Sequence, residues 1–94
     1  MRRGSTPTLV CSIKGVDIMD IESPKVTLRQ NDMVMIKTDF DINLERNAFD
    51  LYLSEEETMS FKPGLFHMQF EGYVGAAKVK SPIKTYDVYD SLRD

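Results

Sequence analysis

Two alternating segments joined by an acidic connector constrain the fold of this chain more than any other feature. Each segment carries an apolar residue at every second position, which gives an extended strand one continuous apolar face. The two faces consist of Phe49, Leu51 and Leu53 in the first segment and Phe66, Met68 and Phe70 in the second. Because such faces must be buried against a second layer, the pattern predicts a packed β domain.

Other short runs of β-forming residues continue this pattern along the chain. Turn signals separate these runs, and no stretch has convincing helical periodicity. This pattern is typical of an antiparallel sandwich or a barrel. Residues 16–21 fit either one turn of helix or a simple turn. The predicted strands are residues 8–13, 25–30, 33–39, 39–47, 48–53, 65–71 and 78–84, with residues 85–92 beginning as a strand and ending as a frayed turn.

Polar breaks predict how neighbouring strands are joined. Asn31 and Asp32 tolerate positive φ and predict a tight hairpin, with Val26 and Leu28 of its first strand pointing inward. A turn at residues 45–47 predicts a second hairpin, and the glycines and alanines of residues 72–77 predict a loop. Pro82 restricts the strand that contains it to a sheet edge or a bulge.

The acidic connector predicts one short helical turn near residues 54–61. Ser54 stands three residues before Glu57, the spacing of a capping box in which each side chain satisfies the other residue's backbone N–H. Pro63 and Gly64 then end the turn, because proline disfavours helical geometry in the residue before it and glycine accepts a tight turn.

Length, charge and cysteine content narrow the function classes. The 94 residues predict a single domain, residues 1–94, and a net charge of -3 gives no electrostatic reason to bind nucleic acid. The sequence contains no run of about 20 apolar residues, so we predict no membrane span. The single cysteine, Cys11, cannot form an internal disulfide, so we expect the protein to occupy a reducing compartment or to assemble after cytoplasmic synthesis. We expect the Cys11 side chain to be small, apolar and buried.

Candidate chemistry is sparse in this sequence. Asp39, Asp41 and Asn43 alternate as calcium ligands do, with Asp50 near the closing position, but Leu44 stands where a calcium loop needs glycine. A solvated strand face explains these residues better. We therefore predict no catalytic, cofactor-binding or metal-binding residue, no cofactor and no enzymatic activity.

Interface residues are the remaining candidates for function. His67 alternates with the buried face of its strand, so we expect it at a surface or an interface rather than as a base for Cys11. Tyrosine and methionine are enriched at protein interfaces, although methionines that fill a small core and tyrosines that cover its rim explain the composition equally well. The predicted interface residues are Tyr52, Tyr73, Tyr86, Tyr89 and His67.

Three segments carry a resemblance to a known family. They are RRGSTPTL at residues 2–9, KVTLRQND at residues 25–32 and LYLSEEETMSFKPG at residues 51–64. The chain resembles a family of small proteins encoded among the tail genes of bacteriophages and prophages of Firmicutes. Glu55 replaces the glutamine usual in that family, and residues 70–84 match its final strands only loosely.

The resemblance implies a tail or baseplate structural protein with an immunoglobulin-like β-sandwich, similar in style to the N-terminal domains of baseplate upper proteins. Implied partners are other phage structural proteins and further copies of the chain, in the virion or in the host cytoplasm during assembly. The family provides no functional residue to transfer. We expect association through an exposed strand edge or a face bearing Tyr and Met.

Two alternatives stay open from the sequence. The first is a carbohydrate- or cell-surface-binding module that stacks sugars on Tyr73, Tyr86 and Tyr89, although the chain contains no tryptophan. The second is a small inhibitor of a host protein, which the acidic charge permits.

Overall fold

A computed structural model describes residues 1–90, in which eight strands, one 3-10 turn and one short helix follow one another. The 3-10 turn is Ile18–Asp20 and the helix α1 is Glu55–Met59. The strands are β1 Thr8–Cys11, β2 Glu22–Gln30, β3 Met33–Lys37, β4 Asp41–Asn43, β5 Ala48–Tyr52, β6 Gly64–Val74, β7 Ala77–Lys80 and β8 Lys84–Val88.

The strands form two antiparallel sheets. The small sheet has the order β1-β5-β4, and the large sheet has the order β3-β2-β6, with β7 and β8 both paired to the other side of β6. The sheets pack face to face. The ring centroids of Phe49 in the small sheet and Phe70 in the large sheet lie 5.5 Å apart, and Phe40 contacts both rings. The predicted all-β antiparallel sandwich is confirmed.

The core contains the apolar faces that the sequence predicted. All six residues of the two alternating segments are buried, and none of their side chains is more than 5% exposed. Val26 and Leu28 of β2 join them from the middle of the large sheet, as predicted.

Both predicted hairpins are present, but the second is shorter than expected. Asn31 adopts a φ of 52°, and Gln30 lies opposite Met33 across the turn. In the second hairpin, β4 has only three residues. Ile42 shares a face with Phe49 yet is 57% exposed, so this edge strand adds little to the core.

The connector forms the predicted capped helix. Ser54 Oγ accepts a hydrogen bond from the N–H of Glu57 at 3.1 Å, and the N–H of Ser54 donates to Glu57 Oε1 at 2.8 Å. Beyond α1, the side chain of Gln30 both donates to the carbonyl of Lys62 (2.6 Å) and accepts from its N–H (2.7 Å). This pair of bonds fixes the end of β2 to the turn that follows the helix.

The predicted loop at residues 72–77 is wrong in extent. β6 continues to Val74 and pairs with β7 through a turn at Gly75 and Ala76. Gly72 therefore lies inside a strand, where a close approach of Ile21 excludes a side chain. The strand predicted for residues 78–84 is also wrong in extent, because Ser81, Pro82 and Ile83 separate β7 from β8.

The last predicted strand is confirmed as β8. The frayed turn predicted at its end falls on residues 91 and 92, which lie outside the described residues.

Candidate functional site

The five predicted interface residues do not form one surface. Tyr52 lies on the outer face of the small sheet, while His67 and Tyr73 lie on the outer face of the large sheet. Tyr86 points inward, opposite the buried Phe66, and Tyr89 is exposed beside the N-terminal residues that bond to its backbone. The structure thus distributes these side chains over several parts of the molecule.

Tyr86 is partly buried and packs against the core. Its ring stacks on that of Phe66 with a centroid distance of 5.1 Å and an interplanar angle of 17°. Burial, and to a smaller extent the neighbouring Cys11, raises the pKa of Tyr86. Because Tyr73 and Tyr86 lie on opposite faces of the large sheet, the tyrosines form no common stacking platform for a sugar.

An acidic pair lies on the outer face of the small sheet. Asp41 stands directly opposite Asp50, whose Oδ2 accepts a hydrogen bond from Asn43 Nδ2 at 3.3 Å. The pKa of Tyr52 is raised, first by desolvation and then by the charges of Asp41 and Asp50. A hydrogen bond with Asp41 also raises it. Within residues 1–90, no group of three or more His, Cys, Asp or Glu side chains is arranged to hold a metal ion.

Cys11 and His67 are not brought together. Cys11 is buried between the sheets, whereas His67 is exposed on the outer face, where its Nδ1 lies 3.0 Å from Thr85 Oγ1. Burial raises the pKa of Cys11 to about 11, with Lys84 opposing the shift and Asp50 adding to it. A nucleophilic thiol requires the opposite shift.

The free edge of β3 is an exposed strand edge of the kind that the sequence predicted without indicating which strand provides it. β3 is the end strand of the large sheet and, among the strands of residues 1–90, pairs only with β2. In a hairpin closed by two residues, the flanking pair exchanges backbone hydrogen bonds, and bonded and non-bonded pairs then alternate. The bonded pairs involve Met33, Met35 and Lys37, so the N–H and C=O groups of Val34 and Ile36 point away from the sheet.

The side chains of β3 add apolar area to these backbone groups. Val34 is 49% exposed and Ile36 is 57% exposed, and both lie on the outer face. Met33 and Met35 are half-buried on the opposite face, where they pack against the core. An exposed strand of this composition is a template for pairing with another chain.

Other edges of the large sheet carry features that discourage pairing. β7 contains Lys80 as well as Lys78, which is ion-paired with Glu71 at 2.9 Å, and Pro82 follows the strand. At the end of β8, the backbone of Tyr89 bonds to Met1 and Arg3. Lysines, prolines and covering segments are the usual means by which proteins protect sheet edges.

The one charged residue of β3 is already engaged within its own chain. Lys37 Nζ forms a short ion pair with Glu57 of α1, and both side chains are partly exposed. Burial raises the pKa of Glu57, but hydrogen bonds from Lys37 and Ser54 outweigh it and hold the pKa below its usual value. Because this charge is neutralised locally, it protects the edge less than a free lysine does.

Comparisons with known proteins add no family to this description. Neither a scan against protein-family models nor a search of curated proteins finds a match to this chain. In residues 1–90, the helical segments are too short to cross a membrane.

Proposed function

We propose that this chain is a non-enzymatic structural or adaptor module of a phage or prophage tail or baseplate, and that it associates with proteins through the free edge of β3. The observation that carries the proposed mode of association is the combination of outward-pointing backbone groups and exposed apolar side chains at Val34 and Ile36. The assignment to a tail or baseplate is supported by the resemblance of residues 2–9, 25–32 and 51–64.

Addition of a strand to this edge would use two sources of affinity. Backbone hydrogen bonds between strands contribute about 0.5–1.5 kcal/mol each after the cost of desolvation. Burial of the exposed parts of Val34 and Ile36 contributes further, at roughly 25 cal/mol per Å² of apolar surface. Backbone bonds supply affinity in this mode of recognition, and alternate side chains supply specificity.

The experiment compares two lysine substitutions of exposed isoleucines. Ile36→Lys places an unpaired charge on the β3 edge, whereas Ile83→Lys places the same charge between β7 and β8, on a residue that is also exposed. A tagged chain is expressed during particle assembly by the phage or prophage that encodes it, and purified particles are probed for the tag.

We expect the wild type and Ile83→Lys to copurify with tail particles and Ile36→Lys to be depleted at least tenfold. Absence of the wild type from the particles would contradict the tail assignment. Equal loss of both variants would contradict the role of the edge, and capture of a host enzyme instead of particle proteins would favour the inhibitor alternative.

A further inference from the structure

We infer that the occupant of the β3 edge is β3 of a second copy of this chain, paired antiparallel about a twofold axis at Met35. This inference rests on the proposed function, because it names a partner for the same edge. It predicts that the two large sheets join into one continuous sheet across the dimer.

The backbone pattern of β3 is compatible with its own reversal. When two copies run antiparallel with their midpoints aligned, Val34 of each copy lies opposite Ile36 of the other. Both residues direct their backbone groups outward, so each of these pairs can exchange two N–H···O=C bonds. The same edge therefore supplies donors and acceptors in matching positions, as an isologous interface requires.

The side chains follow the same symmetry. Val34 and Ile36 meet on the outer face, and the two Met35 side chains meet at the axis on the core face. Met33 faces Lys37, whose aliphatic stem can cover an apolar neighbour while its ammonium stays bound to Glu57. This near-palindromic order of apolar residues favours a second copy over a strand of unrelated sequence, and no like charges oppose each other within β3.

Alternative alignments are less favourable. A shift of the pairing by one residue sets outward-pointing backbone groups of one copy against inward-pointing groups of the other. It also places outer-face side chains of one copy opposite core-face side chains of the other. A shift that restores the pattern moves part of the contact beyond the five residues of β3, into the turn at Asn31 and Asp32 or past Lys37. Only alignment at Met35 uses the whole strand.

A cysteine substitution at the axis tests this register directly. Met35 of one copy would lie opposite Met35 of the other in a non-hydrogen-bonded antiparallel pair, in which the two Cα atoms lie about 4.5 Å apart. That distance is within the range that a disulfide spans. The native thiol gives little background, since Cys11 is only 1% exposed and burial raises its pKa to about 11.

Met35→Cys is oxidised in native buffer and analysed on a non-reducing gel beside Val34→Cys, Ile36→Cys and the control Ile42→Cys. We expect covalent dimers for Met35→Cys in at least tenfold excess over the control. Mixed Val34→Cys and Ile36→Cys chains should crosslink more than either variant alone. Stronger crosslinking of Val34→Cys or Ile36→Cys alone would overturn the register.

Light scattering of the untagged wild type supplies a measurement that does not depend on these variants. We expect a dimer, a monomer for Ile36→Lys and a dimer for Ile83→Lys. A wild type that stays monomeric at protein concentrations up to about 1 mM would have a dissociation constant too high for a specific dimer, and this result would overturn the inference.

The two proposals fail in different ways. A monomeric wild type that still copurifies with particles, with loss in Ile36→Lys, refutes the dimer and supports the proposed function. A dimer that crosslinks at position 35 but never copurifies with particles supports the dimer and refutes the tail assignment.

Discussion

At the scale of single residues, Gly72 shows how a close approach can require glycine inside a strand. A Cβ at this position would lie 2.4 Å from Ile21 Cγ2 and 3.2 Å from the carbonyl oxygen of Glu22. Ile21 is itself buried, so its side chain cannot move into solvent. Gly72 thus permits residues 21–24 to lie directly against β6.

We predict that Gly72→Ala lowers the free energy of unfolding by about 1–3 kcal/mol, the usual cost of overpacking a core. Urea denaturation measures the change. The control is Ile21→Ala, which removes the Cγ2 atom: in that background Gly72→Ala should cost less. Equal costs in both backgrounds would show that the contact with Ile21 is not the cause.

Cys11 provides a second residue-scale prediction, in the alkaline range. Its pKa rises from 9.0 to about 11 on folding, so the unfolded chain loses this proton first and stability falls as the pH rises through that interval. Two pKa units correspond to a loss of up to about 3 kcal/mol. We predict that the stability advantage of the wild type over Cys11→Ala shrinks between pH 8 and pH 11.

The measurement is urea denaturation of both proteins across this range. Use of the difference removes the contributions of other groups that titrate in both proteins. A difference that stays constant with pH would contradict a raised thiol pKa.

At the scale of elements, α1 anchors the start of the chain. Thr58 is fully buried, and its hydroxyl donates to the carbonyl of Ser5 at 2.7 Å while it accepts from the N–H of Gly4 at 3.0 Å. Arg3 adds a bond from its Nε to the carbonyl of Phe61 at 2.7 Å. These contacts hold the first residues where their backbone can reach Tyr89 beyond β8.

We predict that Thr58→Val, which keeps the shape of the side chain, costs about 1–3 kcal/mol because it leaves the Gly4 and Ser5 groups without their partner. Thr85→Val is the matched control, since its hydroxyl is exposed and, within residues 1–90, contacts only the exposed His67, so its loss should change stability by less than about 0.5 kcal/mol. Hydrogen exchange should also report faster exchange at Gly4 in Thr58→Val. Similar losses for both variants would refute the anchoring role.

The elements also show which features of this fold a sequence can predict. The hairpin at Asn31 and the capping box at Ser54 depend on local chemistry, and both were predictable. The exposure of Ile42 was not predictable, because alternation identifies a strand face but not whether another part of the chain covers it. The role of Gln30 depends on a distant turn at Lys62, which no local pattern reveals.

An exposed strand edge was expected, but the strand that provides it was not predictable, for a related reason. The sequence MVMIK predicted a strand correctly, and its four consecutive apolar residues were the available signal that both faces matter. Its position at the end of the large sheet follows only from the pairing of β2 with β6. The tyrosines attracted attention by residue type, yet the fold distributes them over separate faces.

At the scale of the whole molecule, one small core holds two sheets together. A chain of this length removes only roughly 60–65% of its extended surface from water, so its stability margin is modest. The rings of Phe40, Phe49 and Phe70 contact one another and bridge the two sheets. Pairing of β3 between copies would add burial that a single chain cannot supply.

This linkage makes stability depend on protein concentration. If the folded chain is mostly dimeric and the unfolded chain is monomeric, each tenfold increase in concentration stabilises a chain by about 0.7 kcal/mol, half of the 1.4 kcal/mol that corresponds to a factor of ten. For a domain of this size, that change raises the melting temperature by about 3–5 °C. We predict this shift for the wild type and for Ile83→Lys. Calorimetry at about 10 µM and at about 100 µM protein measures it, a range suited to a dimer whose dissociation constant is on the order of 1 µM. Ile36→Lys should melt at one temperature at both concentrations, because its edge is blocked while its core is unchanged. A wild-type melting temperature that does not move would mean that the sandwich is stable without a partner on β3.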